Sequence, residues 1–290
     1  MALSKPTAPT IRAHKAALRR GEGAQPLVMV TAYDAPGARI ASEAGADMIL
    51  VGDSLAMVVL GYDDTLQVTT ADMAHHVGAV ARAKPQCLII GDLPWMSYHV
   101  STDDTIRNAA TLVRAGAQAV KLEGGARRVP MVEAIVAAEI PVMGHIGLTP
   151  QSVHAMGGFK VQGKTAGAAA ALVSDALALV EAGVFAIVLE GVPDSVARMV
   201  TEAVPVPTIG IGAGVHCDGQ VLVFHDLLGL EDRMAPKFVR RYAALKADAV
   251  DAMTRFADDV RARRFPDDSE SYHLADDVAE VLGLYSSHPA

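Results

Sequence analysis

The sequence predicts a (β/α)8 barrel, the α/β fold in which eight parallel strands alternate with helices. Eight short apolar, β-branched segments recur along the 290 residues, mostly with helical patterns between them. Each segment is apolar almost throughout, as parallel strands buried on both faces must be. Before three of them the chain repeats one junction, in which a glycine ends a helix and a strand begins: AGADMILVG, AGAQAVKLEG and AGVFAIVLEG.

The predicted strands are bounded by turn residues and have strand length. In chain order they are PLVMVTAY, DMILVGDS, CLIIGDLP, AVKLEGG, PVMGHIGLTP, AIVLEGV, PTIGIGAG and QVLVFHDLLGL. Helices between them are predicted in PGARIASEAGA, TADMAHHVGAVARA, STDDTIRNAATLVRAGA and TAGAAAALVSDALALVEAGV, the third with Ser101 or Thr102 as its N-cap. These elements account for most of the expected barrel.

The domain organisation follows from the same pattern. Residues 1–264 are expected to form a single barrel domain, and residues 265–290 a loosely held C-terminal tail. An N-terminal helix over residues 11–20 should close the bottom of the barrel, and residues 236–264 predict a long helix. Two places depart from an ideal barrel. GVHCDG, before the last strand, is too short for a helix, and residues 148–163 form a long loop of the kind that is usually functional.

Composition excludes several classes of partner. The chain has 33 acidic and 25 basic residues, a net charge of -8 and no long basic run, which argues against nucleic acid or an anionic membrane surface. Cys87 and Cys217 form neither a CxxC pair nor a disulfide framework, which is typical of a reducing compartment. No apolar run approaches the roughly 20 residues that span a bilayer. We therefore predict a cytoplasmic location.

Residues 158–165, GFKVQGKT, match the phosphate-binding pattern G-x-x-x-x-G-K-[ST]. A P-loop needs a buried strand that runs directly into the glycine turn. The nearest predicted strand, PVMGHIG, ends about ten residues earlier, which breaks that requirement. We interpret the match as a coincidence within an active-site loop, and keep a P-loop NTPase only as an alternative.

Charged and polar residues stand where the predicted strands end, which is where barrel enzymes carry their chemistry. They are Asp53 and Ser54 after the second strand, Asp92 after the third, Lys121 and Glu123 in the fourth, His145 in the fifth and Glu190 in the sixth. Period-two alternation places Lys121 and Glu123 on one face, opposite the apolar residues that should face the helices. These side chains are therefore expected in the barrel mouth.

Acids on adjacent strands raise each other's pKa unless a cation lies between them. Oxygen ligands alone favour a hard ion such as Mg²⁺. Lys121 could neutralise a substrate carboxylate, and Glu190, two strands farther round, is placed for a base. Read singly, each acid could instead cap a helix or face solvent, and His145 could be an ordinary core histidine.

The sequence resembles the ketopantoate hydroxymethyltransferase (3-methyl-2-oxobutanoate hydroxymethyltransferase) family, in register from about Ile11 to about Tyr242. The segments that carry the resemblance are TAYDAP, ILVGDSLAMVVLGYDDTLQVT, IIGDLPWMSY, AVKLEGG, PVMGHIGLTPQSVHAMGGFKVQGKT, IVLEGVP, TIGIGAG and VFHDLLGL. It implies a barrel of the phosphoenolpyruvate/pyruvate-binding type, Mg²⁺ dependence and a homo-oligomer, typically a decamer. It also implies hydroxymethyl transfer from 5,10-methylenetetrahydrofolate to 3-methyl-2-oxobutanoate through a Mg-stabilised enolate.

The resemblance further implies roles for the strand-end residues. Asp53, Asp92 and Glu123 would belong to the metal site. Asp53, Ser54, Asp92 and Lys121 would contact the keto acid. By the same motifs the proton acceptor would be Glu190, and the residue lining the pocket would be His145.

Other functions remain open at this point. The closest is another Mg-dependent 2-oxo-acid lyase or mutase of the same superfamily. Such lyases typically carry a reactive cysteine in a strand-end loop, whereas Cys87 opens a predicted strand and Cys217 lies in VHCDG. A non-catalytic barrel used for assembly is the remaining alternative, and the row of acids at the mouth argues against it.

Overall fold

The computed structural model describes residues 5–21, 23–230, 236–275 and 278. Its strands are β1 (Leu27–Thr31), β2 (Met48–Val51), β3 (Leu88–Asp92), β4 (Ala119–Glu123), β5 (Val142–Gly147), β6 (Ala186–Glu190), β7 (Thr208–Ile211) and β8 (Gly219–Leu222). These eight described strands are parallel and form a closed barrel in chain order, with β8 hydrogen-bonded to β1. The predicted (β/α)8 fold is therefore confirmed.

Helices connect most of the strands, as predicted. They are α1 (Ala8–Arg20), α2 (Ala35–Glu43), α3 (Leu55–Val58), α4 (Thr70–Arg82), α5 (Thr102–Ala115), α6 (Val129–Ala137), α7 (Val153–Met156), α8 (Ala166–Glu181), α9 (Asp194–Ala203), α10 (Phe224–Leu228) and α11 (Leu245–Arg261). Ser101 is the N-cap of α5, because its Oγ accepts a hydrogen bond from the Asp104 N–H at 3.1 Å. No helix separates β7 from β8, in agreement with the short GVHCDG link.

Two apolar layers stabilise the barrel, one inside it and one between its strands and helices. Ala119 and Met143 belong to the inner layer, whereas Val120 and Leu122 belong to the outer one. Burial of each large apolar side chain contributes roughly 1.5–3 kcal/mol. The polar residues of β4 alternate with Val120 and Leu122, so they point into the barrel interior as expected.

Helix α1 covers the N-terminal end of the barrel, as predicted, although it begins at Ala8 rather than Ile11. Ile11 packs in the inner apolar layer. The Lys15 Nζ donates hydrogen bonds to the Thr201 carbonyl oxygen at 2.6 Å and to Asp218 Oδ2 at 2.8 Å. Helix α1 therefore makes both an apolar contact, through Ile11, and hydrogen bonds, through Lys15, with the rest of the barrel.

The predicted helix over residues 236–264 is shorter than expected, because α11 begins only at Leu245. Residues 236–244 are irregular. The Phe238 ring lies against Gly212, and the Tyr242 N–H donates to the Leu227 carbonyl oxygen at 2.9 Å. These contacts hold the segment in a non-helical path, an instance of tertiary packing that overrides helical propensity.

The chain divides into two compact units, Met1–Tyr242 and Ala243–Ala290. The second unit contains α11 and a 3-10 turn, Asp268–Glu270. The domain boundary expected at residue 264 falls inside this unit and stays a prediction. Most of the expected tail, residues 276–277 and 279–290, lies outside the described residues. Within the part of the chain that the structure describes, no helix is long and apolar enough to cross a membrane.

Candidate active site

The structure brings the predicted strand-end residues together at the C-terminal mouth of the barrel. In the strand register Asp92 lies beside Lys121, and Glu123 lies beside His145. These four side chains are almost completely buried. The site therefore forms a charged cluster in a place where burial of unpaired charge is costly.

Lys121 lies at the centre of this cluster. Its Nζ is 2.8 Å from Asp92 Oδ1 and 3.6 Å from Glu123 Oε1. Burial lowers the pKa of Lys121, but the surrounding carboxylates outweigh burial and hold the pKa above its usual value. Lys121 is thus a permanent cation at the mouth.

The carboxylate of Asp53 lies next to that of Asp92, since the Asp53 N–H donates to Asp92 Oδ2 at 3.1 Å. Burial, followed by the negative charges of Asp92 and Glu123, raises the pKa of Asp53 well above its usual value. Burial also raises the pKa of Asp92, although Lys121 opposes it. Three carboxyl groups thus surround one ammonium group, an arrangement in which each carboxylate disfavours ionisation of the others unless a further cation lies among them.

Ser54 follows Asp53 at the end of β2 and takes part in a separate contact. Its Oγ is 2.9 Å from the Tyr33 hydroxyl oxygen. The Tyr33 carbonyl oxygen in turn lies 2.7 Å from His76 Nδ1. The Ser54 hydroxyl is therefore positioned by the residues that follow β1.

His145 links the acid cluster to Glu190. Its Nδ1 is 3.4 Å from Glu123 Oε1, and its Nε2 is 3.4 Å from Glu190 Oε2. Burial and the charge of Lys121 lower the pKa of His145, but the two glutamates raise it to about 9. These distances are long for hydrogen bonds, so the link is mainly electrostatic.

Glu190 is the most open carboxylate of the site. Its side chain is 16% exposed, compared with 3% for Glu123. The sequence prediction separated Glu190 from the acids of the earlier strands, and the structure places it on the far side of His145. An accessible carboxylate beside an imidazole is suited to proton transfer with a bound ligand.

Sequence reasoning missed two residues of this site, Tyr98 and Gln151. The Tyr98 hydroxyl donates to Gln151 Oε1 at 2.6 Å, and Gln151 Nε2 donates to Asp53 Oδ2 at 2.9 Å. Both side chains are buried. Neither follows a strand directly or carries a charge, so no local signal in the sequence pointed to them.

The residues at the mouth fit a divalent cation. Among the described residues, no three His, Cys, Asp or Glu side chains form a ready-made metal cluster. However, Asp53 and Asp92 are adjacent, buried and short of positive charge, and Asp92 Oδ1 has only the Lys121 ion pair and no well-directed hydrogen bond in the described chain. Two carboxylates with open positions for water and substrate oxygens are typical of Mg²⁺. The membership of Glu123 in a metal site stays a prediction.

The alternative sites are poorly placed. Cys87 directly precedes β3, and Cys217 lies before β8, so both are at the N-terminal end of the barrel, away from the mouth. A 3-10 turn and the one-turn helix α7 separate Gly147, the last residue of β5, from Gly158. The GFKVQGKT stretch therefore lacks the strand that a P-loop requires.

A closed parallel barrel with buried carboxylates and an ammonium group at its C-terminal mouth defines an α/β-barrel enzyme. The sequence profile of the family described as ketopantoate hydroxymethyltransferase matches residues 10–268. The chain belongs to this family.

Relatives cover almost the whole chain. The 3-methyl-2-oxobutanoate hydroxymethyltransferase of Syntrophobacter fumaroxidans is 56% identical over 90% of this chain and 93% of its own length. The enzyme of the same name from Moorella thermoacetica is 56% identical over 93% of this chain and 98% of its own length. Among solved structures, 2,3-dimethylmalate lyase, a member of the PEP mutase/isocitrate lyase superfamily, shares the fold with a TM-score of 0.55 and 20% identity, covering 94% of this chain and 95% of that one.

Proposed function

We propose that this protein transfers a hydroxymethyl group from 5,10-methylenetetrahydrofolate to 3-methyl-2-oxobutanoate. The product is 2-dehydropantoate (ketopantoate), a step of pantothenate and coenzyme A biosynthesis. The observation that carries the proposal is the open carboxylate of Glu190 beside three buried carboxyl groups that surround one lysine. One part of this site is suited to accept a proton, and the other to bind a cation with a 2-oxo acid. Relatives at 56% identity that are named for this activity support it.

Asp53 and Asp92 would hold Mg²⁺, with Glu123 completing the negative charge around it. When bound, the cation would supply Lewis-acid charge for the oxygens of the keto acid. Lys121, already ionised, would neutralise the substrate carboxylate, and the Ser54 hydroxyl would bind another of its oxygens. Together these groups orient the keto acid so that its C3–H faces the remaining carboxylate.

Glu190 would remove the proton from C3 of the keto acid. His145 Nε2 lies 3.4 Å from Glu190 Oε2, so the imidazole would orient this carboxylate towards the substrate. The C3 carbon would then form a bond to the one-carbon unit of the folate. Both carbon–nitrogen bonds of that unit break and water supplies the hydroxyl oxygen. The proton from C3 and one proton from water go to the two released nitrogens, and tetrahydrofolate leaves.

Product formation tests this proposal. The purified protein would be incubated with 3-methyl-2-oxobutanoate, 5,10-methylenetetrahydrofolate and Mg²⁺, and 2-dehydropantoate measured by mass spectrometry. We expect product with the wild type and a loss of about 10²–10⁴-fold with Glu190→Gln, the typical contribution of a general base. Glu133→Gln, at an exposed position on α6, is the matched control and should keep full activity. A wild type without product would contradict the proposal.

Two further properties are part of the proposal. The two cysteines of the chain are free and buried, which supports a cytoplasmic location. Family membership supports a homo-oligomer, with a decamer as the expected form. Light scattering of the purified protein would measure its mass directly, and a monomer would contradict the second expectation.

A further inference from the structure

We propose that Gln151, fixed by Tyr98, is a positioning residue that orients Asp53 and Glu123 for the divalent cation. This inference rests on the proposed function. Gln151 lies in the 3-10 turn Pro150–Ser152 that follows β5, and it is 4% exposed. It contacts groups at the ends of three other strands, β2, β3 and β4. One residue thereby ties the loop after β5 to the carboxylates of the mouth.

The side-chain amide of Gln151 has all of its hydrogen-bonding groups engaged. Its Nε2 donates to Asp53 Oδ2 at 2.9 Å and to the Leu93 carbonyl oxygen at 3.0 Å. Its Oε1 accepts from the Tyr98 hydroxyl at 2.6 Å. Since the Leu93 carbonyl oxygen can only accept a hydrogen bond, the orientation of the amide is fixed. The side chain therefore has a single satisfied position.

The backbone of Gln151 holds the second carboxylate. Its N–H donates to Glu123 Oε2 at 3.1 Å, and the Glu123 N–H donates to the Tyr98 hydroxyl oxygen at 3.2 Å. The Tyr98 hydroxyl thus connects the Glu123 backbone to the Gln151 side chain. Movement of the turn would disturb Asp53 and Glu123 together.

The neutrality of Gln151 is important for this role. Asp92 is paired with the cationic Lys121, which competes with a metal ion for the carboxylate. Asp53 has instead an uncharged amide donor, which fixes one carboxylate oxygen without adding positive charge. Outer partners of this kind orient metal ligands, and their removal typically lowers metal affinity by about 10–100-fold.

The chemistry of the cluster separates this role from a catalytic one. In the part of the chain that the structure describes, the hydrogen bonds of Gln151 and of the Tyr98 hydroxyl group run to one another, to backbone groups and to the carboxylates Asp53 and Glu123. Their removal should therefore weaken cation binding and leave the rate at saturating cation close to that of the wild type.

Mn²⁺ binding to the full-length protein, followed by electron paramagnetic resonance without either substrate, tests the inference. Gln151→Met keeps the length of the side chain but loses its hydrogen bonds, and we expect the Mn²⁺ Kd to rise about 10–100-fold. Tyr98→Phe should raise it by a smaller factor, and should add nothing further in a Gln151→Met background because the two residues act as a unit. Gln118→Met is the matched control. Gln118 lies just before β4, at the other end of the barrel, and its Oε1 accepts a hydrogen bond from the Ile89 N–H at 3.3 Å. The Mn²⁺ Kd of this variant should equal that of the wild type.

A second measurement separates positioning from general destabilisation. In hydroxymethyl-transfer assays the apparent KM for Mg²⁺ should rise in Gln151→Met. The kcat at saturating Mg²⁺ should stay within about threefold of the wild type, because the substitution weakens cation binding equally in the ground state and in the transition state. If Gln151→Met does not fold, Tyr98→Phe carries the same test. Wild-type Mn²⁺ binding with unchanged Kd in these variants would overturn this inference alone. Absence of Mn²⁺ binding in the wild type would overturn the proposed metal site and this inference with it.

Discussion

The two ends of the barrel each bury one lysine, and the surroundings of the two lysines differ. At the N-terminal end, Lys15 contacts one carboxylate, Asp218, and the Thr201 carbonyl oxygen. Asp218 Oδ2 also accepts hydrogen bonds from the backbone and side chain of Thr208, at 2.8 and 3.1 Å. Arg19 Nη2 donates to the same Thr201 carbonyl oxygen at 3.2 Å, so the carboxylate of Asp218 has two cations nearby and its hydrogen bonds are satisfied.

At the mouth, Lys121 faces the carboxylates of Asp53, Asp92 and Glu123. Its pKa is raised by these neighbours, whereas burial lowers the pKa of Lys15 despite Asp218. The number of carboxyl groups around the lysine, rather than burial of charge itself, therefore distinguishes a structural ion pair from a site suited to bind a cation.

The largest effect is expected for Lys121→Met. Removal of the only ammonium group that contacts Asp92 in the described chain takes away the ion-pair partner of a buried carboxylate, which should lower the free energy of unfolding by about 3–5 kcal/mol. Activity should fall by about 10²–10³-fold, because a charge that binds the substrate carboxylate is lost. Urea denaturation with and without Mg²⁺ checks the account, since the cation should restore part of the lost stability. A variant that Mg²⁺ leaves unstabilised would argue against a cation site at the mouth.

Lys15→Met should give a comparable loss of stability, and Mg²⁺ should stabilise this variant by the same amount as it stabilises the wild type. Asp218 would lose its ammonium partner in a nearly buried position, at a cost of about 3 kcal/mol. The mouth is untouched, so the activity of the folded protein should equal that of the wild type. The same denaturation series and a steady-state assay measure both quantities. Stabilisation by Mg²⁺ that differs from the wild-type value would show that the two ends are coupled.

A smaller effect is expected when Mg²⁺ is added to the wild type. At a concentration of 100 times Kd the bound cation should contribute about 2.7 kcal/mol. For a barrel of this size the Tm should rise on the order of 5–10 °C. Asp53→Asn should abolish the shift, and Lys15→Met should retain it. An equal shift in the Asp53→Asn protein would place the cation elsewhere.

Much of the fold was predictable because parallel strands buried on both faces have an unmistakable apolar pattern. The same alternation placed Lys121 and Glu123 in the mouth, since their neighbours Val120 and Leu122 belong to the outer layer. The irregular backbone of residues 236–244, where a helix was expected, was not predictable, because the contacts that prevent a helix there come from residues distant in sequence.

The candidate site was predictable only in its charged part. Asp53 and Asp92 follow strands directly, so strand ends revealed them. Gln151 and Tyr98 lie in connections, where side-chain positions depend on contacts between segments far apart in sequence. Lys15 was missed for a similar reason, since a single lysine on a helix ordinarily faces solvent.

Proton exchange at C3 of 3-methyl-2-oxobutanoate tests the central claim most directly. The protein would be incubated with the keto acid in D2O without folate, and loss of the C3 proton followed by NMR. We expect the wild type to exchange the C3 proton only when Mg²⁺ is present. Exchange should be lost in Glu190→Gln and should proceed at the wild-type rate in Lys15→Met. Exchange that is independent of Mg²⁺ and Glu190, or no exchange in the wild type even with tetrahydrofolate present, would contradict it.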